Sequence, residues 1–413
     1  MTKRRVVITG LGAVSPIGNT VSELWDSIQK GKCGIDFITA FDTTEHKAKL
    51  AAEVKNLDTE KYFTLRETKN NDRFTLFARI AAKQAIEDAQ LDLSTIDHRR
   101  FGVILGSGIG GLQSLENAKE SLIERGPTRI SPFFIPMTLI NLAAGEVAID
   151  QGAQGQCYSV VTACAAGTNA IGEAFHKIRD GYQDIIISGG SEAAITPVGI
   201  AGFSVMRALH TGEDPNRASI PFDADRSGFV MGEGAGILIL ESLEHAQNRG
   251  AKIYAELVGY GSTCDANHIT APLEDGSMGA YAMTLALEDA CLYPSDINYI
   301  NAHGTSTPLN DKTETLAVKT AFKEAIQNIP MSSTKSNTGH LLGASGAVEA
   351  IICTLALENN FVPPTINYKN PDPLCDLDIV ANVGRSANLT HVMSNSLGFG
   401  GHNASIILKK WSQ

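Results

Sequence analysis

Ile8-Thr9-Gly10-Leu11-Gly12-Ala13 near the start of the chain is matched in character by Leu257-Val258-Gly259-Tyr260-Gly261-Ser262, and this repetition constrains the fold more than any other feature. Both stretches read as strand endings that turn through glycines. Further along each half, Met231-Gly232-Glu233-Gly234-Ala235-Gly236-Ile237-Leu238-Ile239-Leu240 pairs with Phe399-Gly400-Gly401-His402-Asn403-Ala404-Ser405-Ile406-Ile407-Leu408, a glycine-rich turn that enters an apolar strand. Ala163-Cys164-Ala165-Ala166-Gly167 has a fainter echo in Leu342-Gly343-Ala344-Ser345-Gly346. A helix of small residues follows each, the second with Ala344, Ala347, Val348, Ile351 and Leu355 along one face. The expectation is an α/β chain of two related halves, 1–254 and 255–413, sharing one rigid body, because no Pro/Ser-rich linker or charge run lies near residue 255.

The halves differ in length. Gly10 and Gly232 are 222 residues apart, whereas Gly259 and Gly400 are 141 apart, so the first half carries an excess of 81 residues. Insertions of this size in a repeated fold commonly form a cap, a docking surface or an oligomer contact. The stretch 40–126 is the expected location, and it includes a helical stripe of Phe74, Phe77, Ala78, Ala81, Ala85 and Ala89.

With 413 residues, 43% of them hydrophobic, the chain can bury one large core or two fused ones. Its seven cysteines are scattered, with no C-x-x-C pair, which indicates neither a disulfide framework nor a zinc site. The basic cluster and apolar run of Met1-Thr2-Lys3-Arg4-Arg5-Val6-Val7-Ile8 briefly resemble a secretory leader, but Gly10, Gly12, Pro16 and Gly18 interrupt it, so a buried first strand is expected. No apolar stretch approaches the roughly 20 residues of a membrane helix, and a cytoplasmic location is expected. A net charge of −11 argues against a nucleic-acid partner.

Chemistry concentrates at Cys164. In Val160-Val161-Thr162-Ala163-Cys164-Ala165-Ala166-Gly167 a β-branched run ends, a thiol follows and small residues open a helix, which reads as a strand-turn-helix elbow. Backbone N–H groups and the helix dipole are expected to favour thiolate there. Downstream stand Asn301-Ala302-His303-Gly304-Thr305-Ser306-Thr307 and Lys335-Ser336-Asn337-Thr338-Gly339-His340-Leu341-Leu342-Gly343-Ala344, each with a histidine beside small residues. Taken singly, such a thiol or imidazole is more often a packed core residue. A nucleophilic Cys with two imidazoles and an ammonium suits carbonyl chemistry in which negative charge develops on oxygen.

With these motifs the chain resembles the β-ketoacyl-[acyl-carrier-protein] synthases, above all the type II bacterial enzymes of fatty-acid elongation, from Val6-Val7-Ile8-Thr9-Gly10-Leu11-Gly12 through Ser396-Leu397-Gly398-Phe399-Gly400-Gly401-His402-Asn403. The resemblance implies a thiolase-like fold, a duplicated five-layered αβαβα sandwich, and a homodimer. It implies an acyl-Cys164 intermediate, oxyanion donors from the backbone of Cys164 and Phe399, and enolate stabilisation by neutral His303 and His340. Lys335 would orient the hydrogen-bond network. By the same resemblance Ile109 and Phe203 line the acyl channel, and Thr305 and Thr307 take the pantetheine amides. The partner would be acyl- and malonyl-loaded acyl carrier protein, an acidic protein met by Arg66, Lys69, Arg129 and Arg207. For Glu349, a carboxylate in an apolar helix, two environments stand open: a structural monovalent cation (K+ or Na+) with Asn301, Ser394 and Asn395, or a hydrogen-bond network with Lys335. No other cofactor is required, because no electrons are exchanged. Asn337, Leu397 and His402 depart from the residues usual in the family, Met, Phe and Thr, and the first two are expected to reshape the acyl pocket.

Other functions are weighed against this one. A dinucleotide oxidoreductase would use Gly10-Leu11-Gly12, but Ser15 stands where the third glycine of G-x-G-x-x-G belongs. A non-catalytic chain-length or docking subunit would not need Cys164, His303 and His340 together. A stand-alone polyketide ketosynthase is the nearest rival, and a biosynthetic thiolase would need a second catalytic cysteine where Phe399-Gly400-Gly401-His402 stands.

Overall fold

The computed structural model describes residues 3–412; Met1, Thr2 and Gln413, and with them the ends of the two expected halves, lie outside the described residues. The strands that carry the repeated motifs form one ten-stranded sheet. In the first half these are β1 (Val6–Val14), β2 (Phe101–Gly106), β3 (Cys157–Val160), β4 (Ile185–Glu192) and β5 (Gly234–Ser242). In the second they are β6 (Ala255–Cys264), β7 (Tyr299–Asn301), β8 (Met331–Ser332), β9 (His391–Gly398) and β10 (His402–Lys410). The order across the sheet is β8-β7-β9-β10-β6-β1-β5-β4-β2-β3. Each half therefore has the same sequence of neighbours, with its first strand innermost and the same mixture of parallel and antiparallel pairs. The two sets join where Val6–Ile8 of β1 pairs antiparallel with Ala255–Leu257 of β6.

Six helices complete the layers: α1 (Arg73–Asp88), α2 (Leu142–Gln151), α3 (Ala166–Arg179), α4 (Ser277–Ala290), α5 (Pro308–Phe322) and α6 (Ser345–Asn359). Helix α1 packs on β1 and β5 with α2 beside it, and α4 packs on β6 and β10 with α5 beside it. Between the two sets of strands lie α3 and α6, which touch each other and both halves. This is the five-layered αβαβα arrangement. Residues Ser345–Leu357 of α6 are buried on every side, as a helix in the middle of such a sandwich must be.

The paired glycines set the distance between the layers. A Cβ on Gly10 would lie 2.3 Å from the Ala85 carbonyl oxygen, and one on Gly12 would lie 1.9 Å from that of Ala81. The same contacts recur in the second half, 2.3 Å for Gly259 against Ala286 and 2.1 Å for Gly261 against Ala282. Gly-x-Gly here lets a helix backbone lie directly on a strand, which replaces the dinucleotide reading of Gly10-Leu11-Gly12 with a packing one.

One expectation needs correction. The Phe74–Ala85 part of the stripe belongs to α1, with Ala89 just past its last residue, and α1 occupies in the first half the place α4 occupies in the second, so the stripe is part of the repeated frame and not of a 40–126 insertion. The extra length is distributed among the segments 15–72, 107–141 and 193–233, which lie between frame elements. An amphipathic stripe marks a helix with a buried face equally well in a frame or in a cap. Among the described residues no helix is long and apolar enough to cross a membrane.

Candidate active site

The elbow forms as its residues demand. Strand β3 ends at Val160, Thr162 leaves the extended region (φ −130°, ψ 43°), and Ala163 adopts φ +49° before a 3-10 turn, Ala163–Ala165, runs into α3. A positive φ at alanine costs about 1–3 kcal/mol and persists only where packing holds it. Here Gly398 lies so close that a Cβ would sit 2.9 Å from the Thr162 carbonyl oxygen and 3.2 Å from the Cys164 nitrogen. From the other side, Asn169 donates to the Thr162 hydroxyl (2.7 Å) and accepts from the Tyr260 hydroxyl (2.8 Å). The equivalent turn of the second half, Leu342–Ala344, also opens at φ +49°.

Cys164 is 8% exposed, and burial pushes its thiol up to about 12. The Lys335 charge and the N–H groups of Phe399 and Cys164 lower it and the Glu192 charge raises it, but burial prevails. The elbow's N–H donors act in the expected direction, but the apolar surroundings remove more solvation than those donors return, which leaves the thiol neutral. The two N–H groups that address the sulfur are the pair expected to hold an oxyanion.

His303 and His340 meet edge to face, and Phe229 packs on the other side of His340. The His340 Nδ1 accepts from the Leu342 N–H (3.3 Å) and lies 2.9 Å from the Ser345 hydroxyl, which assigns the ring proton to Nε2. Burial, followed by the positive charge of Lys335, holds both imidazoles well below their ordinary value, so both are neutral at pH 7. His303 is placed by its backbone. Its N–H and that of Gly304 each donate to Glu314 at 2.7 Å, and the Thr305 N–H donates to Asp311 at 3.0 Å. Asp311 and Glu314 were not singled out from sequence. Two acidic residues three apart at the start of α5, directly after His-Gly-Thr, were the available signal. Burial raises Glu314 to about 7.

Lys335 and Glu349 form a buried ion pair, Nζ to Oε1 at 2.5 Å. The second Glu349 oxygen, Asn301 Oδ1 and Ser394 Oγ are all buried and have no hydrogen-bond partner among the described residues. Asn301 and Ser394 are register partners on β7 and β9. The network with Lys335 is therefore present, and three oxygens of the expected cation set lack partners, a donor set that fits a hard cation. The Asn395 side-chain carbonyl is engaged with Ser405 (2.8 Å), so its side chain does not join them.

A cavity of about 370 Å³ opens onto Cys164, His303, His340 and Phe399. Thr305 and Thr307 line it with their hydroxyls 2.9 Å apart, as do Phe203, Leu397 and Arg207. Ring centroids of Phe203 and Phe399 are 6.3 Å apart. Ile109 does not line this cavity; it packs behind it, in the apolar cluster shared by Cys164 and Phe203. Asn337 corrects the expectation for it: its side-chain amide donates to the Lys32 carbonyl (3.0 Å) and its backbone carbonyl accepts from the Gly34 N–H (2.8 Å), so it ties down a loop and does not line the cavity. Arg66, Lys69 and Arg129 are exposed and away from the cavity lining, whereas the exposed Arg207 is part of it.

Residues 3–246 match the family "Beta-ketoacyl synthase, N-terminal domain" and residues 254–369 match "Beta-ketoacyl synthase, C-terminal domain". The 3-oxoacyl-[acyl-carrier-protein] synthase 2 of Staphylococcus aureus (strain COL) is 53% identical over 408 residues, covering 99% of each chain. The protein of the same name from Synechocystis sp. is 52% identical over 412 residues, 100% of this chain and 99% of its own. Among solved structures, a type II polyketide ketosynthase described in complex with its acyl-carrier protein and bound to the hexaketide superposes with a TM-score of 0.91 at 38% identity, covering both chains completely. The repeated frame, the Cys164 elbow and these full-length matches lead to one conclusion: the chain belongs to the β-ketoacyl synthase family.

Proposed function

We propose that this chain is a 3-oxoacyl-[acyl-carrier-protein] synthase of fatty-acid elongation, which joins an acyl thioester to malonyl carrier protein by decarboxylative condensation. The observation that carries this is the convergence of a buried thiol, two neutral histidines and a buried lysine on one cavity in a chain 53% identical to enzymes of that name.

The acyl thioester carbonyl enters beside Cys164, with its oxygen taken by the N–H groups of Cys164 and Phe399. Because the thiol is neutral at rest, its proton leaves as sulfur attacks and ends on the departing pantetheine sulfur. Thr305 and Thr307 hold the pantetheine amides, while Phe203 and the cluster around Ile109 enclose the acyl chain. In the second half-reaction malonyl carrier protein loses CO₂, and the resulting enolate oxygen is held by ring N–H groups of His303 and His340. Its carbon attacks the acyl-Cys164 carbonyl, the C–S bond breaks, and the thiolate released takes up the one proton that the overall reaction consumes. Neutral imidazoles suit this task, since an imidazolium would protonate the enolate it is meant to preserve. Lys335 keeps the site electropositive and is itself fixed by Glu349. A monovalent cation, K+ or Na+, would be held by Asn301, Glu349 and Ser394, where it would neutralise the second Glu349 oxygen.

The carrier protein would dock where Arg207 meets the cavity mouth, with Arg129, Arg66 and Lys69 as outlying contacts. We also assign a homodimer and a cytoplasmic location. Support for the dimer comes from β3, the sheet's exposed edge, which is followed by Val161 at 51% exposure, with Ile135 and Leu139 at 59% and 46% in the 107–141 segment. The deciding experiment supplies acyl-loaded acyl carrier protein and radiolabelled malonyl carrier protein. A 3-oxoacyl product two carbons longer per turnover supports the proposal, whereas a poly-β-keto product would assign the polyketide reading.

A further inference from the structure

One carboxylate beside the thiol ties together the segments that flank it, and among the described residues it meets no counter-ion. Glu192, the last residue of β4, is fully buried. Its oxygens accept from the Ser107 hydroxyl (3.0 Å) and from the N–H groups of Gly108 (2.7 Å), Ile109 (3.1 Å), Gly110 (3.2 Å) and Gly343 (3.1 Å). Among the described residues it has no Lys, Arg or His within ion-pair distance. Glycine is required where the oxygens come closest, since a Cβ on Gly108 or Gly343 would lie 2.9 or 2.8 Å from Oε2. Stripping a carboxylate of water is expensive, and five directed donors offset part of that cost here, burial still holding the group above the usual carboxylate range.

The donors belong to two functional segments. Ile109 packs with Cys164 and Phe203 in one apolar cluster. Gly343 follows Leu342, which sits at φ +49° and whose N–H is accepted by the His340 Nδ1. We infer that Glu192 is a positioning residue for both half-reactions, holding Ile109 against the acyl chain and the 341–343 turn against His340. This rests on the condensing reading given above.

In Glu192→Gln the side chain offers one acceptor oxygen to a cradle built of donors, so either Gly108 and Gly343 or Ile109 and Gly110 lose their acceptor. The apolar wall then shifts, and the ratio of Cys164 loading rates from a short-chain and a long-chain acyl carrier should change by about tenfold, the effect of one methylene of misfit in an apolar pocket. A merely structural role lowers the active fraction and leaves this ratio alone. Folded Glu192→Gln with a wild-type ratio overturns the inference. Should that variant not fold, Ser107→Ala removes a single bond to the same carboxylate; a ratio shifted in the same direction supports the inference and a wild-type ratio overturns it. If the wild-type protein loads no acyl group at all, the condensing reading fails separately. Glu192 is then still probed by alkylating Cys164 with iodoacetamide and with a long-chain alkyl iodoacetamide, a ratio in which the lost charge cancels: a changed ratio of the two rates in Glu192→Gln supports its hold on the apolar wall at Ile109, and an unchanged ratio overturns it.

Discussion

The imidazoles of His303 and His340 lie edge to face, their centroids 5.2 Å apart and their planes at 84°. Two rings so close cannot both carry charge, and burial with Lys335 nearby already disfavours it. On the proposed reading they act as hydrogen-bond donors to one developing oxyanion. His303→Ala should form acyl-Cys164 at near wild-type rate yet lose about 10²–10³-fold in malonyl decarboxylation, the usual effect of removing one oxyanion donor. Single-turnover assays with labelled acyl and malonyl groups measure the two steps separately. Equal loss in both would make His303 a base for the thiol as well.

The neutral thiol has a pH signature. With Cys164 raised to about 12, the thiolate fraction of the free enzyme grows about tenfold per pH unit across the accessible alkaline range, and iodoacetamide alkylation should follow it without a plateau. The sign follows from an acid that is protonated below its pKa: raising pH speeds the reaction. A plateau below pH 8 would instead reveal a preformed thiolate–imidazolium pair.

Glu349→Ala leaves the Lys335 ammonium buried without its partner and should destabilise the fold by about 3–5 kcal/mol. Chemical denaturation measures this, and the double variant Lys335→Met/Glu349→Leu should lose less than the two single losses added. Comparing the wild type in potassium and in tetramethylammonium buffers tests the unpartnered oxygens of Asn301, Glu349 and Ser394. A higher Tm in potassium is expected, and Asn301→Ala should abolish the difference.

Global and local charge conflict in carrier recognition, since a chain of net charge −11 repels an acidic partner at long range. A basic patch still acts inside the roughly 8 Å screening length at physiological salt. Arg129→Glu with Arg207→Glu should raise the KM for carrier-bound substrates far more than for acyl-pantetheine, with kcat for the small thioester nearly unchanged. Equal effects on both substrates would make these arginines supports of the site itself.

What could be read from the chain was what is local in it. The Cys164 elbow, His303, His340 and Lys335 announce themselves because each sits in a run of small residues, and the paired glycines of β1 and β6 announce the repeat. Glu192 was invisible because its partners lie 82 to 85 residues upstream and 151 downstream and, the Ser107 hydroxyl apart, are backbone N–H groups, which no side-chain pattern encodes. The Cys164 thiol divides in the same way: the helix start and its donors are legible in the chain, whereas the burial that outweighs them is a tertiary quantity. Asn337 lies in the same motif as Lys335 and His340 yet turns away to Lys32, and only the path of the chain decides that.

Cys164 as the acyl-carrying nucleophile is tested most directly by intact-protein mass after incubation with acyl-loaded acyl carrier protein. The wild type should gain one acyl group, localised to Cys164 by peptide mapping, while folded Cys164→Ala gains none and Cys164→Gln still decarboxylates malonyl carrier protein. An acyl adduct of the same mass on Cys164→Ala would place the nucleophile at another cysteine and contradict the account.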